Sequence, residues 1–270
     1  MNDSRLSMEQ IPEDKPNSAR IYDYFLGGHH NFAADRAAAE RLRTIYPDIG
    51  RAAQANRAFL RRSVRFMAEQ GVEQFLDLGS GIPTAGNVHE VAQAANPAAR
   101  VIYVDVESVA VLHSTSILRG NHRAAIVQED ACRPEKILRH PEVQSLLDFR
   151  KPVAVLLLAL LHFVPDDQAA HEMLARYREA LVPGSYLAIT HVSLEEAPAE
   201  VNSQIEKIYS GTTTPFKSRT RAEVEPLFDG LDVVEPGIVY VPRWRPEGPD
   251  DVFFEQPERS AILAGVGRVR

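Results

Sequence analysis

The sequence predicts a doubly wound α/β fold, in which a mostly parallel sheet ends in antiparallel C-terminal strands. After Gly71, short apolar runs alternate with amphipathic segments of helical length, a pattern typical of parallel strands covered by helices on both faces. Two helical segments precede the first run. That run ends in a glycine-rich turn, where ligands bind in this architecture.

The N-terminal part is predicted to be helical. Residues 1–15 lack hydrophobic periodicity and are expected to form a flexible tail. Apolar residues recur at helical spacing over residues 35–46 and 48–70, and Gly71 ends the second helix. Five arginines make this second helix basic, and we expect them to form a solvated face: Arg51, Arg57, Arg61, Arg62 and Arg65.

The predicted parallel strands are Gln74–Leu78, residues 101–106, Ala124–Gln128, residues 153–161 and residues 186–191. Each run is apolar on both faces, as buried parallel strands are. Residues 84–95 and 166–181 place apolar side chains on one helical face and are predicted to be connecting helices.

The C-terminal segments are expected to extend the sheet. Ala199–Tyr209 is predicted to be a weak helix, and Thr220 with Glu223 forms a capping-box pattern that opens a helix ending near residue 230. Strands are predicted over residues 231–240 and 260–269. A proline-rich loop separates them, and we expect them to pair in antiparallel fashion.

Length and composition limit the domain organisation, the partners and the compartment. The 270 residues suit a single domain over residues 16–270, made of an N-terminal helical lid (16–70), a cofactor-binding core (71–195), and C-terminal helices with a strand pair (196–270). A formal net charge of −7 disfavours nucleic acid as a partner. The longest apolar run, residues 153–161, is far shorter than the roughly 20 residues of a membrane span. With one cysteine and no signal sequence, we expect a cytoplasmic protein.

The segment FLDLGSGIPT, residues 75–84, joins a buried strand to a helix through the glycine-rich turn. Gly79 and Gly81 let a ligand approach the backbone, and the following helix offers unpaired N–H groups. Thr84 stands where a dinucleotide-binding fingerprint has its last glycine, which weakens an NAD-dependent interpretation. Asp77 is expected to face a polar ligand, because a lone buried carboxylate is costly; the alternative is a structural hydrogen bond.

Acidic residues end the next two strands. Asp105 follows Gly81 by 24 residues, near the spacing that brings a carboxylate to ribose hydroxyls. Asp130 closes the third strand, where it could accept a hydrogen bond from an adenine amino group while Ala131 packs on the ring. The alternative for both acids is capping of the helices that follow.

These features resemble a class I S-adenosylmethionine-dependent methyltransferase, which has a Rossmann-like sheet. A closer resemblance, to a bacterial S-adenosyl methyltransferase family once described as a domain of unknown function, covers nearly the whole chain. It rests on the motifs NSARIYDYFLGG (17–28), NFAADR (31–36), ANRAFL (55–60), GIPTAGNVHEVAQ (81–93), LHFVPDD (161–167) and VPRWRP (241–246). The resemblance implies that S-adenosyl-L-methionine is the cofactor, held by Asp77, Gly79, Ser80, Gly81, Asp105, Val106, Asp130, Ala131 and Tyr24.

The chain departs from the family pattern at two places. His29-His30 stands where the family commonly has Lys-Asp, which bears on the acceptor chemistry. Val106-Glu107-Ser108 stands where Asn-Asp-Pro commonly follows the ribose-binding acid, so an aliphatic Val106 would loosen cofactor binding.

The candidate catalytic residues are His162, Tyr22 and His29. His162 ends the fourth predicted strand at the ligand-binding edge of the sheet; the alternative is a hydrogen bond to a loop carbonyl. Tyr22 and His29 belong to residues 17–32, an aromatic, glycine-containing segment that acts either as a lid or as an aromatic staple. The histidines lack a metal-ligand spacing, so no metal is expected.

The sequence therefore predicts methyl transfer from S-adenosylmethionine to the O, N or C nucleophile of a small-molecule acceptor. We expect residues 22–30 and the loop after His162 to enclose that acceptor. Two alternatives stay open: a non-catalytic S-adenosylmethionine-binding or scaffold protein, and an NAD-dependent oxidoreductase. Neither the acceptor nor the oligomeric state follows from the sequence.

Overall fold

The structure is a computed structural model that describes residues 13–82 and 86–270. Most of the predicted tail, residues 1–12, and the predicted fingerprint position Thr84 lie outside the described residues. No helix in the two described ranges is long and apolar enough to cross a membrane.

The helices are α1 (Ser18–Phe25), α2 (Ala33–Ile45), α3 (Ile49–Glu69), α4 (Val88–Ala95), α5 (Ser108–Ile117), α6 (Pro134–Leu138), α7 (Pro141–Leu146), α8 (Asp167–Glu179), α9 (Ala199–Tyr209) and α10 (Arg221–Val224). The strands are β1 (Gln74–Leu78), β2 (Arg100–Asp105), β3 (Ala124–Gln128), β4 (Ala154–Leu157), β5 (Tyr186–Val192), β6 (Leu231–Val233), β7 (Val239–Tyr240) and β8 (Ile262–Val269).

The sheet has the strand order β3-β2-β1-β4-β5-β8-β6, and β7 also pairs with β8. The pairs from β3 to β5 are parallel, whereas β8 runs antiparallel to β5, β6 and β7. The predicted fold class, a mostly parallel sheet with antiparallel C-terminal strands, is confirmed. Because β2 and β3 lie on one side of β1 and β4 on the other, the connections change direction between β1 and β4.

Helices cover both faces of the sheet because the central strands alternate two sets of apolar side chains. Phe75 belongs to one apolar cluster with Phe59 of α3, and its neighbour Leu76 to another with Leu174 of α8. Every residue of β1 is buried. A third cluster joins α1 and α2 to α9, so the N-terminal helices pack on the C-terminal part of the chain.

The structure differs from the predicted elements where the backbone turns. The predicted strand over 153–161 ends at Leu157, because Ala159 adopts a φ of 55° and donates its N–H to Thr190 Oγ1 at 2.8 Å. The predicted strand over 231–240 is divided around Pro236 into β6 and β7. The helix opened by Thr220 becomes a 3₁₀ turn after Val224, because Pro226 has no N–H to continue it.

Helix α1 lies within residues 17–32, for which the sequence analysis gives no bounds of a helix or strand. Its N-terminus is capped by Asn17, whose side-chain oxygen accepts the N–H groups of Ala19 and Arg20 at 2.9 and 3.2 Å. Ile21 is fully buried against α2 and α9, so contacts from distant parts of the chain stabilise this short helix.

Candidate active site

A cavity with a water-accessible volume of about 270 Å³ opens at the carboxyl ends of β1 and β4, where the strand connections change direction. Its lining comes from the glycine-rich turn, the ends of β2 and β3, the loop after β4, helices α1 and α3, and the α9 region. Ten of the residues predicted to form the site line it: Asp77, Gly79, Ser80, Gly81, Asp105, Val106, Asp130, Ala131, Tyr22 and His162.

The glycine-rich turn is shaped by two left-handed glycines. Gly79 and Gly81 both have a φ of +66°, which disfavours any larger residue. A Cβ on Gly79 would lie 2.6 Å from Leu160 Cδ1, whereas a Cβ on Gly81 would meet no described atom within 4 Å. Ser80 Oγ between them is buried without a hydrogen-bond partner. The turn therefore exposes open space and an unsatisfied hydroxyl to a ligand.

Asp105 ends β2 and holds the glycine-rich turn in place. Its Oδ2 accepts the Gly81 N–H at 2.7 Å, and its Oδ1 accepts the Glu107 N–H at 2.9 Å. Burial raises the pKa of Asp105 to about 6, although these bonds act in the opposite direction. The neighbouring Val106 is 56% exposed, so an apolar surface lies open at the same edge.

Asp77 and Arg57 place opposite charges at the inner end of the cavity. Burial raises the pKa of Asp77 to about 7, while Arg57 on α3 lowers it and Asp105 raises it further. The Arg57 Nη2 donates to the Gly86 carbonyl at 3.1 Å, and its Nε is buried without a partner. The expected solvated face of α3 is thus wrong for Arg57, and also for Arg62, which is buried and donates to the Trp244 and Val241 carbonyls.

Asp130 and Ala131 form the outer end of the cavity beyond β3. The Asp130 Oδ1 accepts the Cys132 N–H at 2.8 Å, and its side chain stays 44% exposed. Ala131 is buried, and its carbonyl accepts the Tyr177 hydroxyl at 2.9 Å. An acceptor oxygen and a methyl group are therefore presented side by side.

The opposite side of the cavity is aromatic. The centroid of the His162 ring lies 4.4 Å from that of Phe163 and 5.5 Å from that of Phe216. The Phe216 ring stacks on Tyr209 of α9, with 5.0 Å between the two ring centroids. His162 is buried and its Nδ1 has no partner. Burial, together with His191 and Arg219, holds the pKa of His162 well below its usual value, so this imidazole is neutral.

Arg219 fixes the loop after β4, although no sequence pattern marks it as a functional residue. This fully buried side chain donates to the carbonyls of Leu161 and Val164 at 3.0 and 2.8 Å and to Asp167 Oδ1 at 2.9 Å. Its Nη1 also donates to His191 Nε2 at 2.7 Å, while His191 Nδ1 donates to the Val192 carbonyl. Arg219 is therefore a positioning residue for the His162 loop.

Tyr22 closes the cavity from α1. Its hydroxyl donates to the Ala53 carbonyl at 3.2 Å and accepts the Asn56 Nδ2–H at 3.0 Å. Burial raises the pKa of Tyr22, so the phenol stays protonated. The Oδ1 of Asn56 is buried without a partner and lines the same cavity.

Tyr24 and His29 are not among the described residues that line the cavity. The Tyr24 hydroxyl donates to Glu40 Oε1 at 2.7 Å near the surface, and His29 is exposed. Tyr24, expected to hold the cofactor, and His29, expected to be catalytic, thus lie outside the lining of this cavity. Of residues 22–30, Tyr22 and Phe25 line the cavity, and Phe163, Tyr209 and Phe216 add further rings to its aromatic wall.

The cavity fits a ligand with polar groups. The buried side-chain atoms without a hydrogen-bond partner that line it are Asn56 Oδ1, Arg57 Nε, Ser80 Oγ, His162 Nδ1 and Thr214 Oγ1. Such atoms are costly unless a ligand or water satisfies them. In the described part of the chain no three His, Cys, Asp or Glu residues are grouped so that they could hold a metal ion.

Comparison with known proteins agrees with this geometry. The model of a family described as S-adenosyl methyltransferase matches residues 4–270. A candidate methyltransferase from Thermobifida fusca is 39% identical, with a TM-score of 0.88 over 95% of this chain and 96% of that one. A DUF574 family protein from Streptomyces avermitilis is 38% identical, with a TM-score of 0.90 over 96% of this chain and 99% of that one.

A more distant likeness concerns the fold alone. Human N-acetylserotonin methyltransferase, solved in complex with S-adenosylmethionine, is 14% identical, with a TM-score of 0.50 over 94% of this chain and 63% of that one. No curated protein matches the sequence.

Proposed function

Since this chain belongs to the S-adenosyl methyltransferase family and is an S-adenosylmethionine-dependent methyltransferase, we propose that its acceptor is a small, uncharged molecule. The observation that carries the proposal is the division of the cavity into two halves. Among the described lining residues, the charged ones surround the glycine-rich turn and the ends of β2 and β3. In the same set of residues, the side next to His162 has no Asp, Glu, Lys or Arg side chain and is largely aromatic and aliphatic.

The charged half suits the cofactor. We assign Asp105 to the ribose hydroxyls, because its carboxylate lies at the end of β2 beside the turn and retains acceptor capacity beyond its two backbone bonds. Val106, Ala131 and Asp130 would contact the adenine, the first two through apolar surface and the third through a carboxylate oxygen. Asp77 and the glycine-rich turn would then contact the amino-acid end of S-adenosylmethionine. When bound, S-adenosylmethionine supplies a methyl group on a positively charged sulfur, an electrophile that needs an aligned nucleophile.

The aromatic half suits the acceptor. Phe163, Tyr209 and Phe216 exclude water and favour an uncharged, largely apolar molecule, because a charged one would lose its hydration without a counter-ion. Neutral His162 can exchange a hydrogen bond with a hydroxyl or amine and so orient the nucleophile. Since protonation of His162 is disfavoured, we assign it this orienting role and not the storage of a proton. Alignment then supplies most of the acceleration.

The test follows labelled methyl groups. Protein incubated with S-adenosylmethionine carrying a tritiated methyl group and with a cell extract separated by size should transfer label only to the low-mass fraction. Asp105→Ala should abolish most of that label, whereas Asp250→Asn, a change to an exposed acid away from the cavity, should not. Label appearing in protein or nucleic acid would contradict a small acceptor.

A further inference from the structure

Arg57 brings a positive charge into the cavity that no described acid neutralises by direct contact. Its Nη2 is held by the Gly86 carbonyl, its Nε is buried without a partner, and none of the ion pairs among the described residues includes it. A guanidinium in this position has donors available for an anion.

The other charged residues of the lining are acids. Arg57 is the single Lys or Arg among the described lining residues, and it faces a cavity that also contains Asp77, Asp105, Glu107, Glu129 and Asp130. Among the charged lining residues, Arg57 therefore attracts a ligand carboxylate, whereas the ionised acids repel it.

Asp77 supplies the complementary charge nearby. The two side chains are too far apart for an ion pair, yet the charge of Arg57 acts on the Asp77 carboxyl. Both also line a smaller space next to the glycine-rich turn. A separated guanidinium and carboxylate match a group that has an ammonium and a carboxylate on one carbon atom, which is the end of an α-amino acid.

We propose that Arg57 binds the carboxylate of the amino-acid end of S-adenosylmethionine while Asp77 faces its ammonium group. This assignment rests on the proposed function of the charged half of the cavity. Helix α3 would then contribute a basic residue to the cofactor site. The assignment gives a function to Arg57, which lines the cavity, whereas its neighbours Arg61 and Arg65 do not.

The experiment compares S-adenosylmethionine with its decarboxylated analogue, which keeps the sulfonium and the ammonium group, by calorimetry. Wild-type protein should bind S-adenosylmethionine at least about tenfold more tightly than the analogue, and Arg57→Gln should weaken binding of S-adenosylmethionine by about 10- to 100-fold, the scale of a charge-assisted hydrogen-bond pair. The same variant should bind the analogue as well as wild type or better, because a repulsive cation has been removed.

Controls separate the assignment from general damage. Arg65→Gln changes an exposed arginine of α3 that pairs with Glu247 outside the cavity, and it should leave both affinities unchanged. Arg57→Lys should recover part of the loss. Equal weakening of both ligands by Arg57→Gln, or unchanged binding of S-adenosylmethionine, would overturn the assignment. If Arg57→Gln does not fold, the wild-type comparison decides, and equal affinities for the two ligands overturn the assignment. Failure of wild type to bind either ligand would instead refute the proposed cofactor site itself.

Discussion

Asp77→Asn should make the ligand-free protein more stable at pH 8, although it changes a residue of the proposed cofactor site. The side chain is only 5% exposed, and burial is the main reason that its pKa rises from 3.8 to about 7. A rise of roughly three pKa units, at 1.36 kcal/mol for each unit, corresponds to about 4 kcal/mol. This is the free energy by which the ionised Asp77 carboxylate destabilises the folded state at a pH well above 7. Asparagine has a similar shape and no charge to bury. We expect a gain of about 2 to 4 kcal/mol.

The sign of the pH dependence follows from linkage. Because the folded state holds the Asp77 proton more tightly than the unfolded state, the contribution of Asp77 to stability is complete below about pH 4 and is lost as the pH rises through about 7. The gain from Asp77→Asn should therefore be small near pH 4 to 5 and reach a plateau near pH 8. Denaturant unfolding of both ligand-free proteins across this range measures it, and the melting temperature at pH 8 should rise by roughly 5 to 15 °C.

The matched control is Asp250→Asn, which removes an exposed carboxylate. It should leave the dependence of the unfolding free energy on pH unchanged. A loss of stability from Asp77→Asn at pH 8 would refute the reasoning, and so would a gain that is the same at every pH. The first result would mean that the ionised carboxylate has a stabilising partner, and the second that its charge is not the cause.

Two further predictions concern the two halves of the cavity. Asp105→Ala should weaken S-adenosylhomocysteine binding by about 2 to 3 kcal/mol, the scale for charge-assisted bonds to two hydroxyls, and Asp130→Ala by less, because one neutral amino group is its expected partner. Calorimetry measures both, and equal losses would contradict the ribose assignment. His162→Ala should lower the rate of methyl transfer about 10- to 100-fold while the affinity for S-adenosylhomocysteine stays within about twofold, since this ring faces the acceptor half; an unchanged rate would remove His162 from the site.

The parallel half of the sheet and the acidic end of the cavity, which we propose binds the cofactor, could be predicted from the sequence. The strand runs are apolar on both faces, and the parallel register brings Asp77, Asp105 and Asp130 to one edge because each closes its own strand or stands near its end. Local pattern and strand order are sufficient for this part. The prediction of β1 has the same bounds as the strand in the structure, Gln74–Leu78.

The acceptor half could not be predicted in the same way. Tyr209 belongs to an amphipathic helix whose pattern does not reveal which cavity its buried face adjoins, and Phe216 lies in a segment without periodicity. Both become part of the wall only when α9 packs on the N-terminal helices. Arg57 and Arg219 give no signal either, because an arginine on a charged helix or in a loop is usually solvated. Tertiary packing decides which arginine is buried.

β8 lies between β5 and the two short strands β6 and β7, although all three precede it in the chain. Among the described strands, β6 and β7 pair with β8 alone, so their backbone groups depend on water until β8 has docked along β5. The parallel strands can assemble as they leave the ribosome, whereas the antiparallel extension must wait for residues 262–269. During that interval β5 presents an unpaired edge, the surface from which sheets of different molecules join. At the β5 edge, the risk of such pairing between molecules is therefore limited to the time before β8 is made.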